Sequence, residues 1–297
     1  MSSEAVVSLH HLSKWYGKTC GIDKISFDVY KGEVFGFLGP NGAGKTTTIR
    51  TLLGLIKPTS GSATILGLDA FSHQLELRKR IGYLPGVAST YSNYTARGYL
   101  AFIAKLRDLD CSSTVEELAA RFALDLDTHI HDLSKGNKQK VSVIQAFMHK
   151  PDLLFLDEPT SGLDPLVQRE FETLLEETKA RGATVVLSSH VLSEVEHLAS
   201  RVAIINKGEI LLVDEISQLK AKAVRKIEFT FDRDVNPSEF DQIPRVKVLS
   251  SNHHRVILEV QGSERELIKR AAELGATDVR THESSLDEIF VDLVGKK

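Results

Sequence analysis

Short runs of β-branched and apolar residues recur along most of the chain and alternate with longer stretches of helical periodicity. Each run is too short for a helix and has the length of a strand. Strands that alternate with helices predict an α/β fold built on a mainly parallel sheet. The predicted strands are 6–12, 25–30, Val34–Leu38, Ala63–Leu66, Ile81–Leu84, Leu153–Leu156, Ala183–Leu187 and the hairpin Val202–Ile205 with Glu209–Val213.

Between about residue 88 and residue 150 the spacing of the apolar residues becomes helical. We expect this stretch to form a helical subdomain inserted into the sheet domain. Thr114 and Glu117 have the spacing of a capping box, which predicts the start of a helix at Thr114. The predicted helices are Thr46–Leu55, Gly98–Leu109, Thr114–Ala123, Ser134–Lys150, Pro165–Ala180 and Ser193–Ser200.

The charged stretch Gln218–Lys226 indicates a domain boundary, and a smaller unit follows it. We therefore expect a large domain over residues 1–217 and a small α+β domain over residues 224–297. The order of elements in the small domain approximates the split β-α-β arrangement of ferredoxin-like domains. Its predicted strands are Ile227–Phe231, Val246–Leu249, Val256–Val260 and Thr277–Thr281, and its predicted helices are Pro237–Gln242, Ser263–Leu274 and Leu286–Val294.

Composition excludes several classes of protein. The 297 residues carry a formal net charge of −3, so no basic excess suggests a nucleic-acid partner. Cys20 and Cys111 lie far apart, without the spacing of a metal site or of a disulfide framework. We find no apolar run of the roughly 18–20 residues that would span a bilayer, and no signal peptide. If the protein acts at a membrane, we therefore expect it to do so without entering the lipid.

One segment fits the phosphate-binding pattern GxxxxGK[ST] at every fixed position, between a predicted strand and a predicted helix. In this pattern, backbone N–H groups and the helix N-terminus surround the phosphates. Lys45 would reach the β- and γ-phosphates, Thr46 would bind Mg²⁺, and Thr47 would bond the α-phosphate. Nucleotide binding follows, but kinases, GTPases and helicases share the motif. The segment is Gly39-Pro40-Asn41-Gly42-Ala43-Gly44-Lys45-Thr46.

Two carboxylates end the apolar strand Leu153–Leu156. The carboxyl ends of parallel strands are where ligands bind in open α/β sheets. Asp157 is therefore expected to hold Mg²⁺, through water, and Glu158 to act as the general base that polarises an attacking water. The alternative is a solvated strand end before the turn at Pro159, and the phosphate-binding segment makes that reading much weaker.

A further segment, Leu133-Ser134-Lys135-Gly136-Asn137-Lys138-Gln139, resembles the LSGGQ signature of ABC (ATP-binding cassette) ATPases. It begins a predicted helix and lies between the phosphate-binding segment and Asp157-Glu158, in the order that this family requires. The resemblance implies that Ser134, Lys135, Gly136 and Asn137 contact ATP held by a second subunit. Alone, the segment would equally fit a simple helix cap.

Other positions resemble motifs of the same family. Tyr16 is similar to the aromatic residue that stacks on adenine, with Trp15 and plain core packing of Tyr16 as alternatives. The segment ending in Asp164 resembles the D-loop, and His190 resembles the switch histidine that senses the γ-phosphate. The ending Ser285–Phe290 resembles the C-terminal extension of ABC-2 type ATPases, for which stabilisation of a dimer is one hypothesis.

The resemblance implies a P-loop NTPase of the ABC ATPase fold, with an antiparallel N-terminal β-subdomain and an inserted helical subdomain. It implies an ATP- and Mg²⁺-dependent subunit that powers transport, in the direction of export, through a separate membrane permease. A homodimer would suffice, because one chain carries both the phosphate-binding segment and the signature. The expected location is cytoplasmic, on the inner face of the membrane.

One position departs from the family pattern. The Q-loop begins at Ile81-Gly82-Tyr83-Leu84-Pro85, and the next residue, usually glutamine, is Gly86. Glycine has no side chain to ligate Mg²⁺ or to contact a permease, so we expect a water to replace that ligand. Two alternatives to a transport ATPase stay open. One is an ABC ATPase that acts on ribosomes or DNA, and the other is a nucleotide-gated regulatory or resistance protein that hydrolyses little ATP.

Overall fold

The computed structural model describes residues 4–87, 91–222, 225–252, 254–260, 264–282 and 290. The chain divides into two compact units, Met1–Glu215 and Ile216–Lys297. Each unit buries its own apolar side chains, and the buried clusters of the two units share no residue.

Ten strands in two sheets are described in the large unit. In chain order they are β1 (Ala5–Tyr16), β2 (Thr19–Tyr30), β3 (Val34–Leu38), β4 (Ser60–Ile65), β5 (Leu68–Asp69), β6 (Ile81–Leu84), β7 (Leu153–Asp157), β8 (Thr184–Ser189), β9 (Arg201–Asn206) and β10 (Glu209–Glu215). The central sheet has the order β10-β9-β3-β8-β7-β6, and the second sheet has the order β2-β1-β4-β5.

The central sheet is parallel except for the β9–β10 hairpin at one edge. Every residue of β3, β7 and β8 is buried, as expected of parallel strands that are covered on both faces. The second sheet is antiparallel throughout. The predicted parallel core and the predicted antiparallel N-terminal β-subdomain are both confirmed.

Seven α-helices and one short 3-10 helix, Ile130–Asp132, are described in the large unit. The α-helices are α1 (Lys45–Leu52), α2 (Gln74–Arg80), α3 (Ala96–Leu106), α4 (Ser112–Arg121), α5 (Lys135–Phe147), α6 (Pro165–Ala180) and α7 (Leu192–Leu198). Leu154 and Leu156 of β7 pack on the side of α3–α6, whereas Leu153 and Phe155 pack on the side of α1 and the antiparallel sheet. The central sheet is thus the middle of three layers.

The helical stretch differs from its prediction at two helix starts. Thr95 Oγ1 accepts a hydrogen bond from the Gly98 N–H at 3.1 Å, so α3 begins before the predicted Gly98. The capping box at Thr114 is wrong, because α4 begins at Ser112 and the carboxylate of Asp110 accepts from the Ser112 N–H at 2.9 Å. Residues 88–90, at the predicted start of the subdomain, lie outside the described residues.

The elements described in the small unit are α8 (Ile216–Lys222), β11 (Arg225–Phe231), β12 (Val246–Asn252), β13 (Arg255–Val260), α9 (Arg265–Glu273) and β14 (Ala276–His282). The strands form an antiparallel sheet of order β12-β13-β11-β14. A short 3-10 helix at Pro237–Phe240 connects β11 to β12, and α9 connects β13 to β14, which is a split β-α-β order. The predicted helix Leu286–Val294 falls outside the described residues except for Phe290.

Candidate functional site

The phosphate-binding loop connects the end of β3 to the start of α1. Gly44 is the N-cap of α1 and has a φ of 115°, in the left-handed region that glycine adopts without steric cost. Lys45 follows it, and its side chain is only 6% exposed. Lys45 Nζ donates hydrogen bonds to the carbonyl oxygens of Gly39 at 2.6 Å and of Pro40 at 3.3 Å. The lysine charge therefore lies directly against the loop.

Asp157 is the last residue of β7, and it is 2% exposed. Thr46 Oγ1 donates a hydrogen bond to Oδ2 at 2.7 Å, and Ser188 Oγ donates one to Oδ1 at 2.5 Å. A buried carboxylate beside a hydroxyl is a set of hard oxygen donors, the kind that Mg²⁺ binds. The residues at the predicted metal position therefore fit this ion.

Glu158 follows β7 directly and has a φ of 51°. That conformation costs a residue other than glycine about 1–3 kcal/mol, and it is typical of functional sites. Glu158 Oε2 lies 2.6 Å from His190 Nδ1, and Oε1 forms an ion pair with Lys45 Nζ at 3.4 Å. Oε1 is buried and accepts no hydrogen bond from the described residues. A buried acceptor of this kind points to a group that binds there.

These side chains converge because their strands are neighbours in the central sheet. Lys45 follows β3, Asp157 and Glu158 end and follow β7, and His190 follows β8. The carboxyl ends of parallel strands lie at the same edge of a sheet, which is where ligands bind. A cation, two carboxylates and an imidazole are thus assembled at one edge.

Tyr16, at the end of β1, is 49% exposed and is not a core residue. A Cβ built on Gly21 would lie 3.0 Å from Tyr16 Cε2 and 3.1 Å from Thr47 Cγ2. The ring therefore lies beside Thr47, the third residue of α1, with Lys14 Nζ 5.1 Å from its centroid. Trp15, the alternative to Tyr16, is less exposed, at 38%. An exposed ring beside the phosphate-binding helix can stack on a base.

The signature segment forms the start of α5. Ser134 is the N-cap, and its Oγ accepts from the Asn137 N–H at 3.2 Å. A Cβ built on Gly136 would lie 3.0 Å from the Gly162 carbonyl oxygen, and the side chain of Lys135 also lies beside Gly162. No hydrogen bond joins this helix start to the phosphate-binding loop in the part of the chain that the structure describes.

Asp164 is the N-cap of α6. Its Oδ1 accepts hydrogen bonds from the Leu166 and Val167 N–H groups, both at 3.0 Å. Pro165 is the first residue of the helix, where its missing N–H leaves no hydrogen bond unmade. The aspartate of the predicted D-loop therefore caps α6.

Gly86 lies beside the carboxylate of Asp157. A Cβ at this position would lie 3.3 Å from the Asp157 carbonyl oxygen and 3.5 Å from Oδ2. The Asp157 charge also reaches Tyr83 on β6, and the pKa of that phenol is raised, first by burial and then by Asp157. The atypical position is thus next to the proposed metal ligand, and it contributes no side chain there.

Four polar residues that the sequence motifs leave out join the site, together with Gln139, the last residue of the signature segment. Ser188 bonds Asp157, the amide of Gln139 donates to the Pro159 carbonyl oxygen at 3.1 Å, and Glu194 accepts from the hydroxyls of Thr160 and Ser189. In the sequence, the two serines are recognisable as a polar pair that follows the apolar residues 185–187 of β8. Nothing in the sequence indicates which groups these side chains contact.

The ABC transporter family matches residues 22–161. The bacitracin transport ATP-binding protein BcrA of Bacillus licheniformis is 35% identical over 306 residues, covering 98% of this chain and 97% of that protein. The linearmycin resistance ATP-binding protein LnrL of Bacillus subtilis is 28% identical, covering 98% of this chain and 99% of that protein.

Solved structures of similar fold include an ATP-binding subunit of an ABC transporter. It is 30% identical, with a TM-score of 0.68, and the match covers 72% of this chain and 92% of that one. CbiO1 of Clostridium perfringens, part of the ABC transporter complex CbiONQ, is 26% identical with a TM-score of 0.63, covering 74% and 92%. Among the described residues, no helix combines the length and the apolar character needed to cross a membrane. The chain belongs to the ABC transporter family, as an ATP-binding subunit with ATPase activity.

Proposed function

We propose that this subunit hydrolyses ATP to drive export through a separate membrane permease, working from the cytoplasmic face of the membrane. The observation that carries the proposal is the convergence of Lys45, Asp157, Glu158 and His190 at one sheet edge. The direction of transport rests on relatives named for bacitracin transport and linearmycin resistance. The cargo itself contacts the permease, so its identity lies outside this subunit.

The phosphate-binding loop and Lys45 bind and orient the phosphates. Lys45 has neutral carbonyl partners and one carboxylate partner at 3.4 Å, and it would exchange these for phosphate oxygens. Thr46 and Asp157 would hold Mg²⁺, which neutralises charge on the phosphate oxygens when it is bound. Gly86 leaves a place for water in the coordination shell.

Glu158 is the general base in this proposal. Its Oε1 is the buried acceptor that lacks a hydrogen bond, and it would take the proton of the attacking water. His190 holds the other oxygen, Oε2, at 2.6 Å, which fixes the orientation of the carboxylate. A fixed orientation matters because proton transfer needs a heavy-atom distance of about 2.6–3.2 Å.

A homodimer completes two sites. The start of α5, with Ser134, Lys135, Gly136 and Asn137, contacts the D-loop of its own chain. Its N-terminus suits an anion, so we propose that it faces ATP bound to a second copy, with Tyr16 stacked on the adenine of its own site. We also propose residues 1–217 as the ATPase domain and residues 224–297 as an accessory domain that stabilises the dimer.

Replacement of Glu158 tests this proposal. Glu158→Gln keeps the shape of the side chain and removes the base, so we expect steady-state ATPase activity to fall on the order of 10²–10⁴-fold. ATP binding and ATP-dependent dimerisation, followed by light scattering, are expected to persist. Glu176→Gln, which changes an exposed carboxylate on α6, is the matched control. Equal activity of Glu158→Gln and wild type would exclude Glu158 as the base.

A further inference from the structure

Glu194, on α7, joins two segments that flank the proposed catalytic pair. The Thr160 hydroxyl donates a hydrogen bond to Oε1, and Ser189 Oγ donates one to Oε2 at 2.8 Å. Ser189 Oγ also accepts from the Val191 N–H at 2.9 Å. Both hydroxyl residues are buried, so each depends on this carboxylate as the acceptor of its proton.

Glu194 thus forms a bridge between Thr160 and Ser189, and both of these residues lie close in the sequence to the proposed catalytic pair. Thr160 comes two residues after Glu158, and Ser189 comes directly before His190. Glu158 and His190 are themselves 2.6 Å apart, through Oε2 and Nδ1. One carboxylate therefore holds the backbone on both sides of the contact between the proposed base and the imidazole that orients it.

The helix that carries Glu194 is fixed to the central sheet. Val195 is fully buried, and a Cβ built on Gly36 of β3 would lie 2.3 Å from Val195 Cγ1. The helix thus packs against the backbone of β3, where no larger residue fits. On the other side, Gln139 of α5 holds the Pro159 carbonyl oxygen at 3.1 Å. The segment after Glu158 is consequently held from both sides.

We propose that Glu194 is a positioning residue for ATP hydrolysis, which sets the geometry between Glu158 and His190 by holding Thr160 and Ser189. This inference rests on the proposed roles of Glu158 and His190. Glu194 does not touch the nucleotide in this scheme. Its removal acts through the position of the base, and misplacement by about 1 Å can cost on the order of 10²-fold in rate.

The test compares Glu194→Ala with Glu196→Ala in the full-length protein. Glu196 lies on the same short helix and is also partly buried, so it controls for loss of a carboxylate from α7. We expect Glu194→Ala to lower kcat by on the order of tenfold to a hundredfold, with the Kd for ATP unchanged. Glu196→Ala is expected to keep wild-type kcat.

A second variant separates positioning from general loss of stability. Thr160→Val removes only one hydroxyl of the bridge and keeps the size of the side chain. The effects of substitutions at two residues in contact are not additive. The double variant Thr160→Val, Glu194→Ala should therefore hydrolyse ATP no more slowly than Glu194→Ala alone. Thr160→Val alone should already lower kcat, and it remains informative if Glu194→Ala does not fold.

The possible results separate this inference from the proposed function. If the wild type hydrolyses ATP, Glu158→Gln does not, and both Glu194→Ala and Thr160→Val match the wild type, the positioning role is wrong and the base assignment stands. A raised Kd for ATP with unchanged kcat also overturns the positioning role. If Glu158→Gln keeps full activity, the proposed function and this inference fail together.

Discussion

Two neighbouring carboxylates, Asp157 and Glu158, differ in what surrounds them. Asp157 accepts two hydroxyl hydrogen bonds in a buried place, whereas Glu158 lies between Lys45 and His190. The sequence predicts the pair and its place at a strand end. The motifs also bring Thr46 to the metal that Asp157 would hold, but they do not predict Ser188, the second hydroxyl donor, because only the order of strands places β8 beside β7.

Restoring a side chain at residue 86 tests the departure from the family pattern. Gly86→Gln places an amide oxygen near Asp157, where it could replace a water on Mg²⁺. We therefore expect the Mg²⁺ concentration that gives half-maximal ATPase activity to fall by roughly 2–10-fold. This range is modest, because changes to the groups around a metal site alter metal affinity by up to about 100-fold. The measurement is a Mg²⁺ titration of ATPase activity at saturating ATP.

The control for this substitution is Gly86→Ala. Its Cβ would lie 3.3 Å from the Asp157 carbonyl oxygen, so alanine reproduces the crowding without the amide. An equal change in both variants would mean that packing, rather than ligation, sets the Mg²⁺ requirement at this position.

Among the elements, helix starts show how local rules succeed and fail. Proline at the first position and aspartate before it fix the start of α6 at the predicted residue, Pro165. At α4 the same kind of rule fails, because Asp110 supplies the acceptor upstream of the capping box at Thr114. Asp110 accepts from Ser112 at the first position of the helix, two residues before Thr114, so the spacing of a capping box does not by itself fix where a helix begins.

Substitutions of Asp164 can separate its role as the N-cap of α6 from a role in ATP hydrolysis. Asp164→Ala removes the acceptor of two backbone N–H groups and should lower the free energy of unfolding by about 1 kcal/mol, measured by urea denaturation. Asp164→Ser keeps a capping oxygen and should restore that stability. If Asp164→Ser is stable yet slow in ATP hydrolysis, the carboxylate has a task beyond the cap.

His149, just beyond the end of α5, predicts a pH dependence of stability. Burial, and then the charge of Arg107, lower its pKa to about 4 from the ordinary 6.5, against the opposing effect of the Ile81 carbonyl oxygen. The unfolded chain takes up a proton between these values and the folded chain does not. Neutral His149 therefore makes its full contribution to the free energy of unfolding above pH 6.5. This contribution is lost as the pH falls towards 4, and the loss is about 3 kcal/mol at most.

Urea unfolding at pH 7.5 and at pH 4.5 measures this effect. His149→Gln carries no titrating group, so its stability should fall less than that of the wild type over this interval. His73→Gln, which changes an exposed histidine, should behave as the wild type does. A wild-type pH slope in His149→Gln would contradict the assignment.

At the scale of the whole molecule, the alternation of strands and helices was enough to predict the parallel core. The order β10-β9-β3-β8-β7-β6 was not predictable from it, because strand neighbours are chosen by packing between distant segments. The same reason hides Glu194 from sequence reading. Its partners Thr160 and Ser189 look like ordinary turn and strand-end residues until the fold places them beside one carboxylate.

Removal of the small unit tests its proposed accessory role. A chain that ends at Glu215 keeps both buried clusters of the large unit intact, so we expect it to unfold cooperatively and to retain ATPase activity per site at high protein concentration. ATP-dependent dimerisation should weaken, as measured by analytical ultracentrifugation. Wild-type dimerisation of the shortened chain would assign the small unit another task.

The ion pair between Lys45 and Glu158 has a consequence for selectivity. Within the site one lysine charge is set against two carboxylates, those of Asp157 and Glu158. Lys45, Asp157 and Glu158 together leave an excess of negative charge, which disfavours a highly charged anion. A divalent cation cancels two of the negative charges of a nucleotide triphosphate, so the metal complex is repelled less than the metal-free nucleotide. We therefore expect the site to prefer the metal–nucleotide complex over the metal-free nucleotide for reasons of charge, and not only of shape.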